Sequence, residues 1–395
     1  MRRPRGAPGV KDPKASPWSG FHRLHRRERL RRVAVAAGLS VADEAALSAP
    51  LPPELAESFI ENAIGSFPLP LGVAVNFVVD GKPVLVPMAV EESSVVAAAS
   101  HGAKLAAVLG GFRTEVMDAV TIGQVELRGV RDQAAAKKVV ARHRKAWMRL
   151  LDERIPAMVK RGGGVRAIET RPVGKGRLVL HLHVDTRDAM GANVVNTLCE
   201  ALAPVAAEAL DAKPGLRILS NLADQRLATA TCTVPHAALG GKDAVKAIVA
   251  ANKFALDDPY RAATHNKGIL NGVDPILVAT GNDWRAVEAG AHAYAARTGA
   301  YRALTTYRQD AKGDLHASLT LPLAVGTVGG VTRLHPTAMA CLKLLGEPDS
   351  RRLAAICASV GLAQNLAALK ALAGEGIQKG HMALHASNLA LARKA

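Results

Sequence analysis

At 395 residues, 49% hydrophobic and only 3% aromatic, the chain can bury large Ala-, Val- and Leu-rich cores in two or three domains. No apolar run reaches the roughly 18 residues that cross a bilayer and no apolar leader opens the chain; four scattered cysteines, Cys199, Cys232, Cys341 and Cys357, suit reduced thiols in a cytoplasmic protein. The net charge of +17 asks for anionic partners, but the stacking aromatics or groove-reading module of a nucleic-acid binder are missing, so a phosphate-bearing ligand is expected instead.

About half of the excess charge sits in residues 1–33, where eleven Lys or Arg stand against Asp12 and Glu28. Residues 1–18, rich in Arg, Pro and Gly, read as a disordered basic arm. A basic helix is predicted over 23–38, ending at Gly38, and a helix over 54–63 after the Pro52-Pro53 turn. Strands follow at 71–79 and 83–88. The string VPMAVEESSVVA at 86–97 then places Glu91 and Glu92 between an apolar strand and the Ala-rich helix 93–109. By composition alone these acids simply favour a helix N-terminus.

After Gly110-Gly111, strands at 121–130 and 177–185 alternate with helices at 132–160 and 194–210, which predicts a small separate α/β domain. The string DAMGANVVN at 188–196 follows a strand and opens a helix. Free N–H groups at such a helix start suit a pyrophosphate, and Gly191 allows close approach. The G-x-G-x-x-G fingerprint is absent from the chain, so a dinucleotide site here is of a non-Rossmann type.

Beyond Leu219 longer helices and Gly-rich turns are expected. Within 260–284, the run Ile276 to Ala279 reads as a half-buried strand. Lys267 then falls on a tight turn and Asp283 caps a helix over 285–297. Near the end, His381 and His385 share one helix face, but a third ligand and the HExxH pattern are missing, so no metal is expected.

Taken together, these strings resemble the 3-hydroxy-3-methylglutaryl-CoA (HMG-CoA) reductase family, its bacterial class II form in particular. The matching segments are ENAIG at 61–65, VEESSVVAAAS at 90–100, DAMGANVVNT at 188–197, ILSNLAD at 218–224 and DPYRAATHNKGILNGVDP at 258–275. ATGNDWRAVEAGAHAYA at 279–295, GTVGG at 326–330 and GLAQNLAALKALAGEGIQKGHMALH at 361–385 complete the set in the family's order.

The resemblance implies an α+β fold. A large substrate-binding domain, 19–117 and 221–377, would carry an inserted ferredoxin-like cofactor domain, 118–220, and a lid segment, 378–395. It implies a homodimer or higher homo-oligomer, with HMG-CoA, mevalonate and CoA as partners and neither nucleic acid nor membrane. The family's catalytic residues match Glu92, Lys267, Asp283 and His381. Its substrate-holding residues match Ser94, Arg261, Asn271, Asn221 and Gln364, and Arg23 lies in a segment that approaches the CoA phosphates. The cofactor turn matches Asp188, Met190, Gly191 and Asn193.

Class II chains usually run several tens of residues past the histidine, whereas this one stops at Ala395, so a shortened lid is expected. Some NADH-selective relatives hold the adenosine ribose with an aspartate near the position of Ile155; without that acid NADPH is not repelled, and the reading favours NADPH over NADH.

The chemistry implied is the interconversion of HMG-CoA with mevalonate and CoA by two hydride transfers, through mevaldyl-CoA and mevaldehyde. Lys267 would stabilise the oxyanion, with Asp283 pairing to it; His381 would protonate the departing thiolate and Glu92 the aldehyde oxygen. The alternative is a catalytically weak CoA-thioester-binding or regulatory protein without a full lid.

Overall fold

A computed structural model of the chain describes residues 16–374. Most of the basic arm, and the 378–395 segment with His381 and His385, lie outside the described residues.

A single 3-10 turn, Phe21–Arg23, leads into α1 (Arg26–Ala37), α2 (Val41–Ala46) and α3 (Pro53–Phe59). The hairpin of β1 (Leu71–Val79) and β2 (Lys82–Ala89) precedes α4 (Val95–Ala107) and β3 (Arg113–Val116). Next come β4 (Val120–Arg128), α5 (Gln133–Asp152), α6 (Pro156–Lys160), β5 (Gly164–Pro172), β6 (Arg177–Asp185), α7 (Ala192–Ala209) and β7 (Lys213–Leu219). The chain continues through β8 (Leu227–Val234), α8 (His236–Leu239), α9 (Lys242–Asp257), α10 (Pro259–Ala279) and α11 (Trp284–Ala295). It then runs through β9 (Thr305–Gln309), β10 (Leu315–Pro322), α12 (Gly330–Leu334), α13 (Pro336–Leu344) and α14 (Ser350–Ala373).

The segment β4 to β7 folds as an antiparallel sheet in the order β5-β6-β4-β7, with α5 and α7 on one face. The cause is visible in β6, RLVLHLHVD. Leu178, Leu180, Leu182 and Val184 alternate toward the helices and join their core, while His181 and His183 take the other face. A larger core surrounds α14, which packs against α10 and α4 and against the sheet β3-β8-β10-β9. By length and composition α14 has enough apolar character to cross a membrane, but 89% of its apolar window is buried inside the protein. Close helix crossings require glycine. A Cβ at Gly102 of α4 would collide with the Ala363 carbonyl of α14, and one at Gly272 of α10 would lie 2.9 Å from the Val360 carbonyl.

Several expected elements change. The segment 260–284 is not a turn and a strand but the long helix α10 followed by the start of α11. Its buried residues Ala262, His265, Ile269, Val273 and Ile276 recur every three or four positions, the spacing of one helix face. Asp258 caps the first turn and Pro259 occupies the first helical position, where a missing N–H costs nothing. Helix 132–160 is broken, because Pro156 forces Ile155 out of the helical region (φ −131°, ψ 47°). The helix expected at 54–63 ends at Phe59, and the region after Leu219 contains three strands besides its helices.

Candidate active site

Lys267 and Glu92 stand 175 residues apart in the chain and meet in space: Lys267 Nζ donates to Glu92 Oε2 at 3.3 Å. Glu92 lies in the loop between β2 and α4, and the loop ends at Ser94, the N-cap of α4. Ser94 adopts φ 73°, a left-handed conformation that costs a non-glycine residue roughly 1–2 kcal/mol. Glu92 and Ser94 line a cavity of about 1080 Å³. Arg23, Arg26, Arg29 and Lys104 share its wall, and Glu92 is the one acid among the described residues that line it. The cavity therefore presents positive charge along its length and a carboxylate at one place.

On α10 one stripe carries the exposed Lys267, then the half-buried Asn271 one turn later and the half-buried Asp274 after that. Pro275 supplies no N–H to the Asn271 carbonyl, so the helix ladder is interrupted beside this stripe. Arg261 is half-buried in the first turn, with its backbone N–H bound to Asp258 Oδ2 at 2.7 Å. Gln364 sits where α14 touches Gly272 and is only 5% exposed, yet its Oε1 has no partner among the described residues. A buried orphan acceptor is costly unless something binds it. Asn221 is exposed just after β7.

Asp283 caps its helix as expected but does not take the expected partner. It caps α11 by accepting from the Ala286 N–H at 3.1 Å, and its ion-pair partner is Arg285 at 3.6 Å. The expected Asp283–Lys267 pair is absent; Lys267 pairs with Glu92 instead. The helix end and the neighbouring guanidinium hold the aspartate where it is. His265 and Asn266 also turn away from the stripe. His265 Nε2 meets Thr305 Oγ1 at 2.6 Å, and burial pulls the ring's pKa down to about 3, so it is a neutral core group. Asn282 accepts from the Gly326 N–H at 2.8 Å and so ties the GTVGG loop to the end of α10.

Sequence reasoning passed over Asp274. Its position seven residues after Lys267 would have singled it out once a helix was recognised. Burial, and then the charge of Glu288, push its pKa well above the ordinary carboxylate range, while Lys267 acts the other way. The fold thus favours the protonated acid. Its contribution to stability is complete below the unfolded value of about 4 and is lost as pH rises toward the raised folded value. Asp274→Asn should therefore gain stability relative to the wild type as pH climbs from about 5 to 9. Denaturant titrations across that range read the difference; parallel curves for the two proteins would refute it.

A second cluster lies at the start of α7. Gly191, its N-cap, has φ 98°, and a Cβ there would lie 2.6 Å from the Thr186 side chain. Among the described residues no side chain caps this helix, and Asn193 is exposed in its first turn. The Asp188 carboxylate accepts from the Ser350 N–H at 2.9 Å, so it anchors the turn to α14. The Asp188 carbonyl accepts from the Thr327 N–H at 2.8 Å. The Met190 carbonyl accepts from Arg226 at 3.3 Å. Ile155 is the N-cap of α6, and the preceding Asp152 is turned to the Val165 N–H at 2.9 Å.

Residues 25–386 match the model of the hydroxymethylglutaryl-coenzyme A reductase family. The chain belongs to that family. It is 49% identical to the 3-hydroxy-3-methylglutaryl-coenzyme A reductase of Archaeoglobus fulgidus, over 94% of this chain and 86% of the relative. A class II reductase from Streptococcus pneumoniae, solved with NADPH in open conformations, superposes with a TM-score of 0.88 at 42% identity. That alignment covers 90% of this chain and 100% of the other. A second structure of the Streptococcus pneumoniae reductase gives a TM-score of 0.89 at 43% identity, covering 96% and 93% of the two chains. The matched span of this reductase-family chain takes in Glu92, Lys267, Asp283 and His381, and begins after Arg23. His381 lies outside the described residues.

Proposed function

We propose that the chain interconverts HMG-CoA with mevalonate and CoA using two molecules of NAD(P)H. The observation that carries this reading is Lys267 held against Glu92 at the wall of a basic cavity.

The uncapped start of α7 suits the cofactor's pyrophosphate, because its first turn leaves N–H groups for an anion; Gly191, expected to allow a close approach, faces the Thr186 side chain and serves the packing of the turn. When bound, the nicotinamide supplies hydride, twice for each mevalonate formed. The apolar Ile155 at the cap of α6 leaves NADPH unopposed, so NADPH is the favoured cofactor over NADH. No metal is assigned; among the described residues no group of three or more His, Cys, Asp or Glu is placed to hold one.

Lys267 places a cation where the thioester oxygen becomes negative. Arg261 binds the substrate carboxylate with its two-pronged guanidinium, aided by Ser94, Asn271, Asn221 and Gln364. Arg23 and the basic wall of the cavity meet the CoA phosphates. Glu92 delivers the proton to the aldehyde oxygen, and His381 the proton to the departing thiolate. Asp283 takes the family's aspartate role from the N-cap of α11.

The chain works as a homodimer in this reading. Ile64 and Phe67 are almost fully exposed and Ile60 largely so, a run of apolar side chains suited to a second copy. A light-scattering mass of one chain would refute it. A cytoplasmic setting suits the four unpaired cysteines.

The deciding experiment is an absorbance assay with both nicotinamide cofactors in both directions. Oxidation of NADPH dependent on HMG-CoA is expected. Consumption of neither cofactor in either direction would leave only CoA-thioester binding.

A further inference from the structure

Arg226 stands between the cofactor turn and the rest of the protein and is only 3% exposed. Its Nη1 donates to Thr186 Oγ1 at 3.1 Å and to the Ala189 and Met190 carbonyls at 3.3 Å each. It also reaches Thr121 Oγ1 of β4 at 3.4 Å. Nη2 donates to the Ala189 carbonyl and to the Val325 carbonyl, just before the GTVGG loop. One guanidinium thus ties together a strand of the small sheet, the turn before α7 and the loop packed against that turn. The packing is tight, since a Cβ at Gly326 would lie 2.5 Å from the Met190 nitrogen.

The chemistry of these contacts matters. All the partners are neutral oxygens, and among the described residues no carboxylate lies within ion-pair distance of Arg226. The nearby acids are engaged elsewhere: Asp185 pairs with Arg166 at 2.6 Å, and Asp188 binds the Ser350 N–H. Burial pulls the Arg226 pKa down to about 10, while the charges of Asp185 and Asp188 act the other way, and it stays charged at neutral pH. A buried cation offset only by carboxylates beyond ion-pair contact is a costly arrangement, and an apolar side chain of similar size would usually serve packing better. The charge lies one residue before Gly191, beside the uncapped start of α7. An anion bound there would complete it.

We propose that Arg226 is the positioning residue of the cofactor site: it shapes the turn 186–190 and supplies the fixed buried charge that the dinucleotide's phosphates neutralise. This rests on the reading of 188–193 as the cofactor site.

The test compares wild type, Arg226→Met and Arg226→Lys by NADPH titration at several salt concentrations, with CoA titration and thermal melting as controls. For Arg226→Met the NADPH Kd should rise about tenfold or more, as for loss of a buried charge near the phosphates and of the turn's shape, and its salt dependence should flatten. The Kd for CoA should stay within about twofold. Arg226→Lys keeps the charge but not the fork, so it should weaken NADPH binding and retain the salt dependence. A folded Arg226→Met that binds NADPH as the wild type does overturns the proposal. So does an equal loss for NADPH and CoA, the mark of a merely structural role. Should Arg226→Met fail to fold, Arg226→Lys decides, and wild-type binding by it overturns the proposal. A wild type that binds neither NADPH nor NADH overturns the cofactor reading itself.

Discussion

Lys267→Ala should lower turnover of HMG-CoA by roughly 10²-fold or more, the usual cost of removing a charge aimed at a developing oxyanion. The affinity for HMG-CoA should change much less, because the ground-state thioester oxygen carries little charge. The fold should hardly notice. The Lys267 side chain is 62% exposed and makes one ion pair, with Glu92, itself 41% exposed. Exposed pairs of this kind contribute little to stability, so the melting curve should nearly overlay the wild type. Lys267→Arg should not restore full activity, since a guanidinium spreads its charge over a plane and cannot place it at one oxygen in the same way. A Lys267→Ala protein that kept more than about a third of wild-type turnover would rule out the electrostatic role.

His381→Gln should separate the two halves of the reaction. Cleavage of the thioester releases a thiolate, and a general acid at that step is worth about 10²–10⁴-fold. Free mevaldehyde has no thiol to release, so its reduction should be much less affected. Glutamine keeps a similar size and a hydrogen-bonding end but cannot transfer a proton near neutral pH. Turnover measured on HMG-CoA and on mevaldehyde with the same preparation gives the ratio directly. Equal losses on both substrates would point to a general defect in folding or cofactor binding and sink the assignment.

Both predictions started from strings of residues, but only one of the residues has its surroundings in the structure. Glu92 and Lys267 were read from separate motifs, and the structure brings them to 3.3 Å. The pairing of Asp283 with Lys267, expected from the same motifs, is replaced by a helix cap and Arg285. Asp283 was also read from composition as an N-cap, and that local reading describes its geometry. A helix start is written in adjacent residues, whereas the choice of ion-pair partner depends on where two helices cross.

The elements divide in the same way. The strand 177–185 was legible because large apolar residues alternate with histidines, and the strands 71–79 and 83–88 from their apolar runs, while their pairing as a hairpin came from the structure. The strand β8, LATATCTV, alternates as regularly, with Ala228, Ala230, Cys232 and Val234 inside. Its small buried residues resemble the Ala-rich helices around it, and its burial comes from its neighbours β3 and β10. The helix α10 was hidden by Gly268, Gly272 and Pro275, residues that discourage a helix taken alone. Packing overrides them: Gly272 is required where α14 passes close, and Asn266 holds the Leu304 N–H from the helix flank.

By itself, then, the sequence determined the family, the α+β class, the helix cap at Asp283 and the motifs that carry the chemistry, because each is encoded by residues close together in the chain. Only the tertiary structure decided that α10 is one helix, that Lys267 meets Glu92 rather than Asp283, and that a lone arginine at 226 sits under the cofactor turn. These depend on contacts between residues 36 to 175 positions apart, and no local pattern records which of many possible partners burial will bring together.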